Sequence, residues 1–279
     1  MSEIKLVVCD LDGTLLNDKK MITEYSIKVL QEARRQGIQI CFASGRDEQM
    51  MSVYAKLIGG CDYMLSDNGA LVRDGGGNML HSAVLKEEDA CRLLTYLNKR
   101  EMTFMMYSAE RMYFSEGSEK LKKRIRDYED LSVRLGCPVK LQAEEYLRTA
   151  PATGYCTAAK IVAYEEDPGK VEDYIEFIGT LPRVHCESTG YGLMGAFDQE
   201  VSKKTALHKI MERMGIGGEA VCVFGDFDND LSMFECADHR VCMANGVEKL
   251  KAAASYVTLS NNEDGVAVYL ADVLGIMPK

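Results

Sequence analysis

Four short apolar runs, each broken off by acids, hydroxyls or glycine, set the strongest limit on what this chain can fold into. Ile4–Cys9 stops at Asp10-Leu11-Asp12-Gly13 and Ile38–Ala43 at Ser44-Gly45-Arg46. Ala220–Phe224 stops at Gly225-Asp226, and Arg240–Met243 at Ala244-Asn245-Gly246. Runs of this length, rich in branched residues, read as strands buried on both faces. Between them the period changes. Thr23 caps a helix whose apolar positions Ile27, Leu30 and Ala33 lie at helical spacing, with Gly37 as its stop. Further helical stretches follow Arg46, Ser202 and Asn229. Strands alternating with helices predict an α/β domain built on a Rossmann-like, doubly wound parallel sheet. In such sheets ligands bind beyond the carboxyl ends of the strands, where these polar clusters would lie.

The middle of the chain has a different rhythm. Gly75-Gly76-Gly77 marks a hairpin between 71–73 and 79–85. After it come a helix over 87–99, strands at 103–107 and 112–115, and a charged helix over 118–135. A strand at 158–164, a helix at 169–178 and strands at 183–187 and 193–197 follow. This mixture predicts an α+β unit over 83–189, inserted between core segments 1–82 and 190–279.

The chain has 279 residues, and its 33 Lys and Arg against 43 Asp and Glu give a formal charge of −10. Such a charge repels a nucleic-acid backbone and argues against that class of partner. No apolar stretch reaches transmembrane length, and the N-terminal run meets Asp10 and Asp12 too soon for a secretory leader. Ten cysteines without a C-x-x-C pair, several inside strand-like runs, read as reduced thiols of a cytoplasmic protein. The four histidines are scattered without zinc-ligand spacing.

Each polar cluster has a chemical reading beside a plain one. Asp10 and Asp12 are two apart, so one carboxylate can act as a nucleophile while the other moves a proton; the plain reading is a turn. Ser44 and the amides after it suit a phosphate at a helix start, with Arg46 adding charge, or form an ordinary cap. Lys203 falls in the first turn after Ser202, where its charge opposes the helix dipole unless it faces an anion or a set of carboxylates. Asp226, Asp228, Asn229 and Asp230 offer the oxygen ligands that Mg²⁺ prefers. An EF-hand does not fit, since Leu231 and Ala237 stand where its glycine and glutamate belong.

Taken in order, these stretches resemble the haloacid dehalogenase superfamily of phosphotransferases. Within it they resemble the Cof-type subfamily, whose cap is inserted between the second and third motifs. Ser66-Asp67-Asn68-Gly69-Ala70, Met243-Ala244-Asn245-Gly246 and Asn262-Glu263-Asp264-Gly265-Val266-Ala267 extend the match over the whole chain. The resemblance implies that Asp10 is nucleophile and metal ligand, and that Asp12 is the general acid/base, its backbone carbonyl also on the metal. It implies that Ser44, Gly45 and Asn229 bind the transferring phosphoryl group and that Lys203 steadies it. Asp226 would complete the metal ligands, Asp230 would orient Lys203 or bind metal through water, and Arg46 would lie near the leaving group. The implied cofactor is Mg²⁺ and the implied substrate a small phosphate monoester, such as a sugar phosphate or a phosphorylated cofactor, with specificity set by the cap.

An acid that protonates the leaving oxygen carries its proton beforehand, so Asp12 is expected above the usual carboxylate value of about 3.9. Lys204 replaces a glycine common in the family, and Ala244-Asn245-Gly246 replaces Gly-Asn-Ala. Two other readings use the same residues: a phosphomutase working through the same aspartyl-phosphate, and a phosphate-binding protein without catalysis. Loss of Asp10 or Lys203 would mark the latter, and both are present.

Overall fold

A computed structural model describes residues 3–147, 157–188 and 193–277. The chain divides into two compact units, 1–81 with 202–279 and 82–201. It opens with strand β1 (Leu6–Cys9), helix α1 (Glu24–Arg35), β2 (Gln39–Ala43), α2 (Glu48–Leu57) and β3 (Tyr63–Ser66), then β4 (Leu71–Asp74) and β5 (Met79–Ser82). Helix α1 starts where expected, because the Thr23 hydroxyl accepts the Ser26 N–H.

The second unit adds α3 (Glu87–Lys99), β6 (Phe104–Ser108), β7 (Met112–Ser115), α4 (Glu119–Arg134), β8 (Ala143–Tyr146), β9 (Ala158–Ala163), α5 (Pro168–Gly179), β10 (Val184–Ser188) and β11 (Met194–Asp198). Its sheet runs β10-β11-β9-β6-β7-β8, and among its pairs only β7 with β8 is parallel. Leu93, Leu94 and Leu97 of α3 and Tyr174 and Ile178 of α5 pack on one sheet face, against Phe104, Met106 and Ile161. The return to the core expected at 189/190 lies outside the described residues. The strand after it, β11, pairs with β9 and β10 and so belongs to the inserted unit.

The chain returns to the first unit through α6 (Lys203–Met214), β12 (Val221–Gly225), α7 (Leu231–Phe234), β13 (His239–Cys242), α8 (Glu248–Ala253), β14 (Tyr256–Val257) and α9 (Gly265–Asp272). The sheet order is β14-β13-β12-β1-β2-β3-β4-β5. It is parallel from β14 to β3 and turns antiparallel at β4. Alternate residues of the central strands face opposite layers. Leu6, Val8, Val221 and Val223 pack against Ala206, Leu207 and Ile210 of α6. On the other face Tyr269 of α9 meets the Phe224 ring edge-on at 5.5 Å. Burying both faces, at about 1.5–3 kcal/mol per large aliphatic side chain, fixes the register that brings the ends of β1, β2 and β12 together.

Among the described residues no helix is long and apolar enough to cross a membrane, and nine cysteines are free.

Candidate active site

The Asp10 amide continues the ladder beyond β1 by donating to the Phe224 carbonyl (3.1 Å), so Asp10 leaves the sheet beside the end of β12. Its carboxylate is almost wholly buried. Lys203 reaches it from the first turn of α6, whose N-cap is Ser202. The ammonium stands 2.6 Å from Asp10 Oδ1 and 2.6 Å from Asp230 Oδ1, and the lysine is 1% exposed. The charge that opposes the helix dipole thus faces two buried carboxylates. Burial works against the ammonium, but Asp10 and Asp230 outweigh it and hold the lysine firmly protonated.

Asp230 uses its other oxygen locally: Oδ2 accepts the amides of Asp226 (2.9 Å) and Phe227 (3.1 Å), which fixes the turn after β12. Asp226 is held by Thr14, whose hydroxyl donates to Oδ1 at 2.7 Å. Gly13 has φ +85°, and a Cβ there would collide with the Asp226 carboxylate, so only glycine lets the two loops approach. Asn245 donates to the Gly13 carbonyl at 2.8 Å. One carboxylate oxygen from each of Asp10, Asp226 and Asp230 lies within 4.8 Å of the others. Crowding shows in their acidities. Burial first, then Asp230, pushes Asp226 up to about 6, and burial also raises Asp10 against the pull of Lys203.

These residues fit a divalent cation. The donors are all carboxylate oxygens, the set that hard cations prefer. Three carboxylates with one ammonium leave two negative charges uncompensated, and a divalent ion would balance them.

Asp12 departs from the sequence expectation. It lies beside two cations: Arg46 donates through Nε to Oδ2 (2.5 Å) and through Nη2 to Oδ1 (2.7 Å), and Lys20 Nζ is 2.7 Å from Oδ1. Burial would raise this carboxyl, but Arg46 and then Lys20 outweigh it and hold it well below the usual carboxylate range. The expected upward shift is therefore corrected: in this arrangement Asp12 is a carboxylate. Arg46, expected near the leaving group, has its fork taken up by Asp12 and a further N–H on the Tyr54 hydroxyl at 3.4 Å.

Ser44 is buried and its hydroxyl accepts the Arg46 amide at 3.2 Å. It does not begin a helix. Asp47 caps α2 by accepting the Gln49 amide, so Ser44 and Gly45 belong to a separate turn ahead of it. Asn229 joins this turn indirectly: its Nδ2 donates to Asn68 Oδ1 at 3.2 Å, and the Asn68 amide donates to the Ser44 carbonyl at 3.1 Å.

The predicted residues thus gather at one sheet edge in three linked groups. Asp10, Lys203, Asp226 and Asp230 form the centre, Asp12 and Arg46 form a pair, and Ser44, Gly45 and Asn229 meet through Asn68. Sequence reasoning assigned no role to Thr14, Lys20, Asn68 or Asn245. Thr14 directly follows the Asp10–Gly13 stretch, but nothing in the sequence points to its partner Asp226. Lys20 sits in a left-handed turn (φ 59°) whose geometry the sequence does not announce.

A sequence profile of the haloacid dehalogenase-like hydrolases matches residues 7–270. The chain belongs to that family. Phosphatase YwpJ of Bacillus subtilis is 27% identical to this haloacid dehalogenase-like hydrolase, over 97% of this chain and 100% of the relative. A second Bacillus subtilis protein, 5-amino-6-(5-phospho-D-ribitylamino)uracil phosphatase YwtE, is 25% identical over 97% of this chain and 98% of its own. A haloacid dehalogenase-like hydrolase from Bacteroides thetaiotaomicron shares the fold with a TM-score of 0.83 and 27% identity, covering 97% of this chain and 100% of that one.

Proposed function

We propose that this hydrolase removes phosphate from small phosphate monoesters through an aspartyl-phosphate on Asp10, with Mg²⁺ as its cation. The observation that carries the reading is the buried Lys203 ammonium shared between Asp10 and Asp230, with Asp226 alongside. A structural salt bridge needs one carboxylate, whereas three around one ammonium leave an unbalanced charge that suits a cation and a phosphoryl group. The relative named for a phosphorylated ribityl compound supports a small phosphorylated metabolite as substrate. We assign substrate selection to the inserted unit.

Asp10, Asp226 and the Asp12 backbone carbonyl would hold Mg²⁺, with Asp230 next to them. When bound, the ion supplies positive charge that offsets repulsion between the Asp10 carboxylate and an anionic phosphate. Asp10 attacks phosphorus, a bond forms from its carboxylate oxygen, and the bond to the leaving oxygen breaks. Lys203 neutralises charge on Asp10 and on the phosphoryl oxygens during transfer, while Ser44, the Gly45 amide and Asn229 donate to those oxygens. Asp12 then takes a proton from the water that attacks the aspartyl-phosphate, which releases orthophosphate and restores Asp10. For the first half, Asp12 parts from Arg46 and Lys20, because the carboxylate they clasp carries no proton, takes one up from solvent and delivers it to the leaving oxygen; the proton it later takes from the attacking water returns it to that protonated form.

The test is orthophosphate release from a panel of phosphorylated sugars and cofactors, with Mg²⁺ and with a chelator. Release that requires the metal is the expected result. Release that survives complete chelation, or none from any monoester, would overturn the reading.

A further inference from the structure

The turn after β3 has an unusual backbone. Asp67 (φ 52°) and Asn68 (φ 56°) are both left-handed, and Gly69 follows at φ 101°. Residues with a Cβ avoid this region, and Asn and Asp tolerate it best, so two in succession are kept only where surrounding contacts enforce them. Two of those contacts lead to the site. The Asp67 amide donates to the Arg46 carbonyl (3.0 Å) and the Asn68 amide to the Ser44 carbonyl (3.1 Å), which clasps the turn to the Ser44–Arg46 segment. A Cβ on Gly69 would collide with the Ser202 carbonyl, at the N-cap of the helix that carries Lys203.

The Asn68 side chain, 2% exposed, sits where these pieces meet. Its Oδ1 accepts from Asn229 Nδ2 at 3.2 Å, and an ideal Cβ built on Gly45 would lie 2.9 Å from the same oxygen. One amide oxygen therefore lies against the Ser44–Gly45 turn and holds Asn229 from the opposite loop. This decides which way the Asn229 amide points. An amide nitrogen carries two N–H groups; one is taken by Asn68 and the second is left to donate elsewhere. Were the amide reversed, its carbonyl oxygen would face any bound phosphoryl group, acceptor against acceptor.

We infer that Asn68 is a positioning residue of the phosphate seat: its side-chain oxygen locks the Asn229 amide with the N–H side toward the phosphoryl oxygens and ties that donor to the Ser44–Gly45 turn. The inference rests on the phosphatase reading above and assigns a new residue to that site. Asn68 does not touch the substrate. It acts through Asn229, so removing either side chain costs the same interaction once.

The test is a double-mutant cycle read by orthophosphate affinity, from calorimetric titration with Mg²⁺ present. Asn68→Gly removes the amide and keeps a residue at ease with positive φ. Asn68→Gly and Asn229→Ala are each expected to weaken orthophosphate about tenfold, the scale of one hydrogen bond to an anion. The double variant is expected to bind no more weakly than Asn229→Ala alone. Phosphate affinity unchanged in Asn68→Gly, or losses that multiply in the double variant, would overturn the inference. Should Asn68→Gly fold poorly, Asn68→Ser, too short to reach Asn229, replaces it under the same criterion. A wild-type chain that hydrolyses monoesters while the losses multiply sinks the Asn68 assignment alone. A wild type that neither hydrolyses monoesters nor binds orthophosphate sinks the functional reading with it.

Discussion

Arg46 grips both oxygens of Asp12, with Nε 2.5 Å from Oδ2 and Nη2 2.7 Å from Oδ1. The planar fork sets the direction of the carboxylate as well as its charge, and a lysine cannot reproduce that geometry. Arg46→Lys is expected to lower kcat about 100-fold, the scale of a displaced catalytic group, with a smaller change in KM. Steady-state kinetics on the best monoester reads this directly. A variant with wild-type kcat would show that the fork does not position Asp12 for turnover.

Lys203 supplies the buried positive charge between Asp10 and Asp230. Replacing it with methionine keeps the bulk and leaves crowded carboxylates uncompensated, which costs about 3–5 kcal/mol for a broken buried pair. Urea unfolding without metal is expected to show that loss, with part of it recovered when Mg²⁺ is added. Equal stability of Lys203→Met and wild type would contradict the electrostatic account of the site.

Thr14 orients Asp226 through a 2.7 Å hydrogen bond. Outer partners of metal ligands are worth about 10–100-fold in metal affinity. In Thr14→Val, the Mg²⁺ concentration for half-maximal activity is expected to rise by about tenfold, with activity at saturating metal largely retained. An unshifted titration would argue that Asp226 is positioned without Thr14.

Much of this site was legible because chemistry and local structure coincide in the sequence. Asp10 and Asp226 follow apolar strands directly, so strand ends and acids are read together. Lys203 was legible for the opposite reason: it is a poor choice for the helix turn it occupies, which signals an external anion. The contacts of Asp12 were not legible. They depend on Arg46 folding back from the next strand end and on Lys20, in a left-handed turn, whose carbonyl accepts the Tyr54 hydroxyl at 3.2 Å. Chain neighbours carry no sign of such long-range pairing, so the expected rise in the pKa of Asp12 came out reversed. Likewise Ser44 looks like a helix cap by composition, while Asp47 takes that place because its carboxylate reaches the Gln49 amide. Strand β8, Ala-Glu-Glu-Tyr, went unread since two adjacent glutamates on an edge strand break the apolar alternation.

Phosphoryl transfer to one carboxylate is the central step proposed for this site, and Asp10→Asn tests it most directly. The substitution preserves shape and removes the nucleophilic charge. With Mg²⁺ and a monoester that the wild type hydrolyses, orthophosphate release by Asp10→Asn is predicted to fall to background while the circular dichroism spectrum stays native. Release at the wild-type rate from a natively folded Asp10→Asn chain would contradict the aspartyl-phosphate and the site built around it.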